Sequence, residues 1–215
     1  MTELEILALL IVPLCVCLFD WRAGVYICIA AGFLQDTLRK IVPDEPVYFT
    51  VLIVAFVAAT LLGAYRRGIR FNFASIHSWN NVLRLPLNLF IGLVLFQSLM
   101  TYFRTSSPIL AGIGLMAYLM PLPGILLGYQ FGNNEKDIIN FAKVYLIISL
   151  MMISGVYFSY SGYEWDVLRS VGEGLHAFSP SGELLILHTG FFRIHEIVVW
   201  HACTAICLAL LLIVN

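Results

Sequence analysis

Apolar residues occur in long unbroken runs along this chain, separated by mostly short polar connections. A bilayer has a hydrocarbon core of about 30 Å and requires roughly 20 apolar residues per helix. The runs are continuous, as over residues 51–64, and lack the alternating rhythm of a membrane barrel. The pattern therefore predicts an all-α polytopic transmembrane helix bundle that forms a single domain over residues 1–215. About seven spans are expected, over residues 4–19, 23–39, 46–65, 85–103, 108–128, 137–158 and 194–214.

The composition supports a membrane protein and excludes one class of partner. Hydrophobic residues make up 60% of the chain and charged residues 12%, and the mean hydropathy is +0.91. The expected surroundings are therefore a lipid bilayer. The net charge of −1 gives no electrostatic basis for nucleic-acid binding, so no nucleic-acid partner is expected. The five cysteines all lie in apolar runs and are expected to be packing residues.

The two longest connections, residues 66–84 and 160–193, predict the orientation. Basic residues close to span ends are retained on the cytoplasmic side. The first connection holds four arginines, namely Arg66, Arg67, Arg70 and Arg84. We therefore expect it to be cytoplasmic, with the acidic N-terminus and the 160–193 loop outside. The first apolar run is expected to be a retained span, because no small-residue cleavage site follows it. Arg39 and Lys40 then also lie outside, against the rule.

Three local patterns refine this arrangement. Within residues 69–83 apolar positions recur every three or four residues, which predicts an amphipathic connection: either an interfacial helix or a loop anchored by Trp79. In the fifth run, Pro121 and Pro123 remove backbone donors, so a continuous helix is not expected there. That break either lines a pathway, is a harmless kink or forms the loop of a tight hairpin. Asn134 is expected to cap the sixth span.

Ionisable residues at the mouth of the last apolar run are the main candidates for a functional site. At about 100° per residue, one helix stripe carries Arg193, Glu196, Trp200 and Thr204, with His201 about 80° away and roughly 12 Å deeper than Arg193. Arg193 is the expected binder of a substrate anion, and Glu196 or His201 the expected catalytic base. The alternative is a structural pair at a helix start, with Trp200 and His201 packing within the bundle.

The 160–193 loop supplies two further candidates for substrate binding, Trp165 and Arg169, and Arg169 is expected to be the second anion-binding residue beside Arg193. Residues 164–175 are expected to form a short surface helix, with Trp165 on its apolar side and Arg169 directed elsewhere. Aromatic and acidic residues of this kind suit sugars, and they equally suit a loop resting on a membrane interface. The histidines lack the spacing of a paired-histidine metal motif, so no metal and no cofactor are expected.

These residues resemble a known family. One part of the chain resembles a region of the O-antigen ligase and O-antigen polymerase proteins of bacterial envelopes. It consists of the element formed by Gly190 and Phe192, the polar patch 193–196 and the helix 202–212. Residues 32–49 are similar to a connection of exopolysaccharide-polymerase-like members. The Asn-Pro-Asn typical of the patch is absent here, and so is an arginine before the glycine. The family usually has ten or more spans, so the resemblance implies that this chain is expected to be a half-enzyme, a truncated product or a partner subunit.

The resemblance implies a multi-pass protein of the bacterial inner membrane that acts in surface polysaccharide assembly. Members join lipid-diphosphate-linked glycans on the outer face, with arginines holding the anion and without nucleotide or metal. The expected activity is therefore glycosyltransferase-like, and the expected ligand is a lipid-linked glycan. The alternative is a non-catalytic transport or scaffold subunit that packs against a membrane-protein partner or a second copy. A channel or carrier ranks third, supported mainly by the proline break.

Overall fold

The computed structural model describes residues 3–42, 52–69, 84–119, 121–171, 177–179, 181–185 and 187–214. The described residues form eight helices: α1 Glu3–Phe19, α2 Trp21–Ile41, α3 Leu52–Arg66, α4 Arg84–Thr105, α5 Pro108–Leu119, α6 Pro121–Phe131, α7 Glu135–Tyr160 and α8 His195–Val214. Between α7 and α8 lie a 3-10 turn, Asp166–Leu168, and two antiparallel two-residue strands, β1 Ala177–Phe178 and β2 Leu184–Leu185. The predicted all-α class is confirmed.

Among the described residues, three helices are long and apolar enough to cross a membrane, over Leu85–Thr105, Glu135–Tyr160 and His195–Val214. Two shorter apolar helices cover Ala8–Phe19 and Leu52–Arg66. The membrane-spanning character of the chain is therefore supported. The number of seven spans is not confirmed. Within the fifth predicted span, 108–128, the described residues are helical over Pro108–Leu119 and Pro121–Phe131. Met120 between them lies outside the described residues, so the expected break at the prolines stays a prediction.

Helix α2 packs between the pair α1 and α3 on one side and α7 on the other, and α8 packs on α7. Small residues allow the closest contacts. A Cβ atom on Gly24 would overlap the side chain of Thr60 in α3, and a Cβ on Gly63 would lie 3.0 Å from the carbonyl oxygen of Leu18 in α1. Such close approach of backbones is typical of helices that associate in membranes. Helices α4 and α5 form a separate contact, in which Ser98 Oγ donates to the carbonyl of Ala111 at 3.1 Å.

Replacing Gly63 by alanine is expected to destabilise the protein by about 1–3 kcal/mol, because the added methyl group forces α1 and α3 apart. Gly92→Ala is the matched control: Gly92 lies in the middle of α4 with nothing within 4 Å of an added Cβ. The control is expected to leave stability unchanged or raise it by about 0.5–1 kcal/mol through helix propensity. Thermal unfolding in detergent measures both. Equal effects of the two variants would contradict the packing described.

The two ends of α2 carry different groups. At its N-terminal end, Asp20 caps the helix, Arg67 Nη2 donates to the carbonyl of Phe19 at 2.7 Å, and Arg22 pairs with Asp137 of α7 at 3.5 Å. At its C-terminal end, Lys40 contacts the segment before α8. The connection after α3 and the connection before α8 thus meet opposite ends of α2. The assignment of the first end to the cytoplasm stays a prediction.

Two predictions about connections have different outcomes. The cap at Asn134 is confirmed, because its side chain accepts from the backbone N–H of Lys136 at 3.2 Å. The amphipathic segment 69–83, including Trp79, lies almost entirely outside the described residues.

Candidate functional site

A polar face on the last two turns of α2 is the centre of the site. Lys40 is only 3% exposed, and its ammonium group donates to three backbone carbonyls, those of Val167 at 3.1 Å, Gly190 at 2.8 Å and Phe192 at 2.6 Å. A lysine ammonium has three N–H donors. Three carbonyl acceptors therefore match its donor capacity and provide the partners that a buried charge requires.

Asp36 and Thr37 form further hydrogen bonds to the same segment of the chain. One carboxylate oxygen of Asp36, which is 5% exposed, accepts from the backbone N–H of Arg193 at 3.2 Å. The hydroxyl of Thr37 donates to the carbonyl of Phe191 at 3.2 Å. With Lys40, the face binds four consecutive residues, 190–193. We call residues 189–193 the anchored turn.

The anchored turn is also held from the loop that follows α7. The backbone N–H of Val171 donates to the carbonyl of Arg193 at 3.1 Å, and the Thr189 hydroxyl donates to the carbonyl of Leu168 at 3.4 Å. Within the turn, the N–H of Phe192 donates to the carbonyl of Thr189. The backbone of Arg193 is thus fixed on both sides, by Asp36 and by Val171.

Two glycines bring the anchored turn against α7. Gly190 has a φ of +57°, a left-handed conformation that glycine adopts without a steric penalty. A Cβ atom there would lie 2.6 Å from the backbone carbon of Gly155 in α7. Gly155 has no side chain, and the ring of Phe191 occupies the space that a side chain would fill. A Cβ atom on Gly155 would lie 2.8 Å from Cε2 of that ring. Glycine at position 190 is therefore required both by the backbone conformation and by the contact.

Arg193 lies two residues before the start of the last helix, α8, at His195. Its side chain is partly buried, and its Nε atom is buried with no hydrogen-bond partner among the described residues. A buried N–H donor without a partner carries a desolvation cost of about 1–3 kcal/mol. An anion at this point would remove that cost, because guanidinium N–H groups bind carboxylates and phosphates in a bidentate manner.

Glu196 lies three residues farther along, in the first turn of α8. Its carboxylate is 3.6 Å from the imidazole of His195, and its side chain is 25% exposed. The predicted stripe does not form one surface, however. Trp200 is 76% exposed, and the Thr204 hydroxyl donates to the carbonyl of Trp200 within the same helix. Only Arg193 and Glu196 of that stripe are partly buried near the anchored turn.

His201 is enclosed by aromatic side chains. Its ring lies 4.1 Å from the ring of Phe33 and 5.3 Å from that of Phe192, measured between centroids. Its Nδ1 atom is 2.7 Å from the hydroxyl of Tyr145 in α7. The imidazole thus links α2, α7 and α8 through packing and one hydrogen bond.

Trp165 and Arg169 line a cavity of about 340 Å³ beside the C-terminal end of α7. Arg193, Glu196 and His201 are not among the described residues that line it. The prediction of a surface helix over residues 164–175 is wrong for the residues that the structure describes. Residues 166–168 form a single 3-10 turn, and Arg169 is extended. Residues 172–176 lie outside the described part.

The sequence-based prediction of the site overlooked Asp36, Thr37 and Lys40. Lys40 was treated as an exception to the rule on basic residues, and all three residues belonged to the segment 32–49 of the family resemblance without a role in the site. The available signal was the one applied to Arg193: ionisable groups at the end of an apolar run. As for metals, no cluster of three or more His, Cys, Asp or Glu side chains suitable for an ion occurs in the described ranges.

These features define a class: an α-helical protein of membrane-spanning character with a polar turn anchored on buried charged residues. Comparison with known proteins identifies no relative, since no family model, curated protein or solved structure matches the chain.

Proposed function

We propose that this chain is a membrane component of surface polysaccharide assembly that binds a lipid-diphosphate-linked glycan through Arg193. The proposal starts from the resemblance of residues 190–196 to the O-antigen ligase and polymerase group. The observation that carries it is the buried, unpartnered Nε of Arg193 on a backbone fixed by Asp36 and Val171. Because the backbone of Arg193 is fixed, only its side chain has to be ordered when the guanidinium binds a diphosphate with two hydrogen bonds.

We place the protein in the bacterial inner membrane as a multi-pass protein, with the anchored turn on the outer face. The orientation follows from the arginines near residues 66–84. The burial of Lys40 supports it, because an ammonium group bonded to three internal carbonyls is not a surface charge. One of the two basic residues that contradicted the predicted orientation is therefore explained by its structural role.

Within this proposal, Glu196 is a better candidate than His201 for moving a proton during glycan transfer. Glu196 lies three residues after Arg193, in the first turn of α8, and its side chain is 25% exposed. His201 is packed against Phe33 and Phe192 and is engaged by Tyr145. A general base must come within hydrogen-bond reach of its substrate, and the imidazole of His201 is already occupied by two phenyl rings and the hydroxyl of Tyr145.

Replacing Arg193 by alanine is expected to weaken binding of a polyprenyl diphosphate by about 10- to 100-fold, the worth of one or two hydrogen bonds to a charged group. Arg193→Lys keeps the charge and loses the planar fork, so an intermediate affinity is expected. Native mass spectrometry of the purified protein with polyprenyl diphosphate, monophosphate and alcohol measures the effect. Arg104→Ala, at an exposed position at the end of α4, is the control. Unchanged affinity in Arg193→Ala, or a loss of folded protein instead, would contradict the proposal.

A non-catalytic subunit is the second candidate, and the enclosure of His201 favours it. Our expectation is that Glu196→Gln lowers polymer formation about 100-fold or more at equal protein abundance. His201→Phe preserves the aromatic packing and is expected to retain polymer formation. Polymer is measured in cells that depend on this chain, with abundance measured in parallel. If both variants retain polymer formation, the non-catalytic candidate is correct; loss in His201→Phe alone would contradict the role assigned to Glu196.

A further inference from the structure

The cavity beside the end of α7 has an aromatic wall. Trp165 lies 5.4 Å from Tyr163 and 5.7 Å from Phe158, and Phe158 lies 5.8 Å from Tyr163, all measured between ring centroids. These mutual contacts hold the indole in place. Trp165 nevertheless remains 49% exposed and Tyr163 52% exposed. A fixed aromatic face is therefore open to a ligand at the cavity.

Charged side chains border this wall. Glu164 and Asp166 flank Trp165 in sequence, and both line the cavity together with Arg169 and Ser159. Two carboxylates against one guanidinium make the cavity unfavourable for a diphosphate. They suit a ligand with several hydroxyl donors, because an ionised carboxylate accepts hydrogen bonds at two oxygens. The volume of about 340 Å³ is at the lower end of the range for small-molecule sites.

We propose that this cavity binds a sugar ring of the glycan, with one C–H face of the ring on Trp165 and its hydroxyls on Glu164 and Asp166. A pyranose combines an apolar C–H face with a rim of hydroxyls, and these match the aromatic wall and the carboxylates. The proposal deepens the proposed function and rests on it for the source of the sugar.

The chain connects this cavity to the anchored turn. Val171 donates its N–H to the carbonyl of Arg193, and Arg169 is two residues before Val171. Two residues span at most about 7 Å between Cα atoms. The sugar cavity therefore lies close to the backbone of Arg193, so the proposal places the sugar and its diphosphate at neighbouring sites of different charge.

Saturation-transfer NMR of the full chain in nanodiscs, with the methyl glycosides of glucose, galactose, mannose and N-acetylglucosamine, tests the proposal. We expect at least one glycoside to give signals, strongest at the ring protons of one face. Trp165→Ala and Asp166→Asn are expected to weaken its binding about tenfold or more. Trp200→Ala, which removes a tryptophan 76% exposed on α8, is expected to have no effect.

The outcomes separate this proposal from the proposed function. If no glycoside binds, or if binding survives Trp165→Ala, the sugar cavity is refuted and the aromatic wall is an anchor at the membrane interface. Arg193→Ala is expected to leave binding of the methyl glycosides unchanged, because they carry no diphosphate. Glycoside binding at Trp165 together with diphosphate binding independent of Arg193 would refute the proposed function and leave the sugar cavity standing.

Discussion

Replacing Lys40 by methionine is expected to destabilise the protein by roughly 3–5 kcal/mol. Methionine keeps most of the apolar stem and removes the ammonium group, so the carbonyls of Val167, Gly190 and Phe192 lose a donor. Each buried polar group left without a partner costs about 1–3 kcal/mol. The anchored turn is expected to detach from α2, and polyprenyl diphosphate binding at Arg193 to weaken with it.

Lys143→Met is the matched control for this effect. Lys143 lies in α7 and is exposed, so the same chemical change is expected to alter stability by less than about 0.5 kcal/mol. Thermal unfolding of both variants in the same detergent measures the difference. If Lys40→Met is as stable as Lys143→Met, the three hydrogen bonds do not hold the turn, and the description of the site is wrong.

Replacing Gly190 by alanine is expected to cost roughly 2–5 kcal/mol. A left-handed conformation costs a residue with a Cβ about 1–2 kcal/mol. The added methyl group would also overlap the backbone of Gly155 and Val156, and such overpacking costs about 1–3 kcal/mol. We expect a lower unfolding temperature and a loss of diphosphate binding.

Gly162→Ala separates these two contributions. Gly162 has a φ of +88° with nothing within 4 Å of an added Cβ, so only the conformational cost applies. The difference between the two variants measures the contact of the anchored turn with α7. An equal loss of stability in Gly162→Ala and Gly190→Ala would show that this contact contributes nothing.

The long apolar helices were predictable from the sequence because bilayer-length apolar runs leave few alternatives. The predicted span 85–103 compares with Arg84–Thr105, and 194–214 with His195–Val214. The break expected in the fifth run stays a prediction, because Met120, which precedes Pro121, lies outside the described residues. The number of spans was not predictable from the sequence. Several of the remaining helices are short, and α2 carries buried charged residues.

The loop after α7 shows why the local pattern of apolar residues was insufficient to predict its secondary structure. Apolar residues at helical spacing predicted a helix over 164–175, and Leu168 and Val171 are indeed buried. In a helix the N–H of Val171 would bond to the carbonyl of Val167. Here that N–H donates to Arg193, and the Val167 carbonyl accepts from Lys40. Tertiary hydrogen bonds thus replace the helical one.

The site was predictable only in part for the same reason. Arg193 and Glu196 stand out because they are ionisable groups at the start of an apolar run. The residues that hold the anchored turn, Asp36 and Lys40, are more than 150 residues away in sequence from Arg193 and Phe192 respectively. The local sequence pattern does not show contacts at such a separation, so the binding of residues 190–193 by Asp36 and Lys40 could not be predicted.

The central claim is that the anchored turn presents Arg193 at the outer face of the membrane. Cysteine labelling in intact cells with a membrane-impermeant thiol reagent tests it, in a background whose five native cysteines are replaced by alanine. Arg193→Cys and the exposed loop variant Leu187→Cys are predicted to react before permeabilisation, and Arg67→Cys, at the other end of α2, only afterwards. Labelling of Arg67→Cys first, with positions 187 and 193 protected until the membrane is opened, would contradict the account.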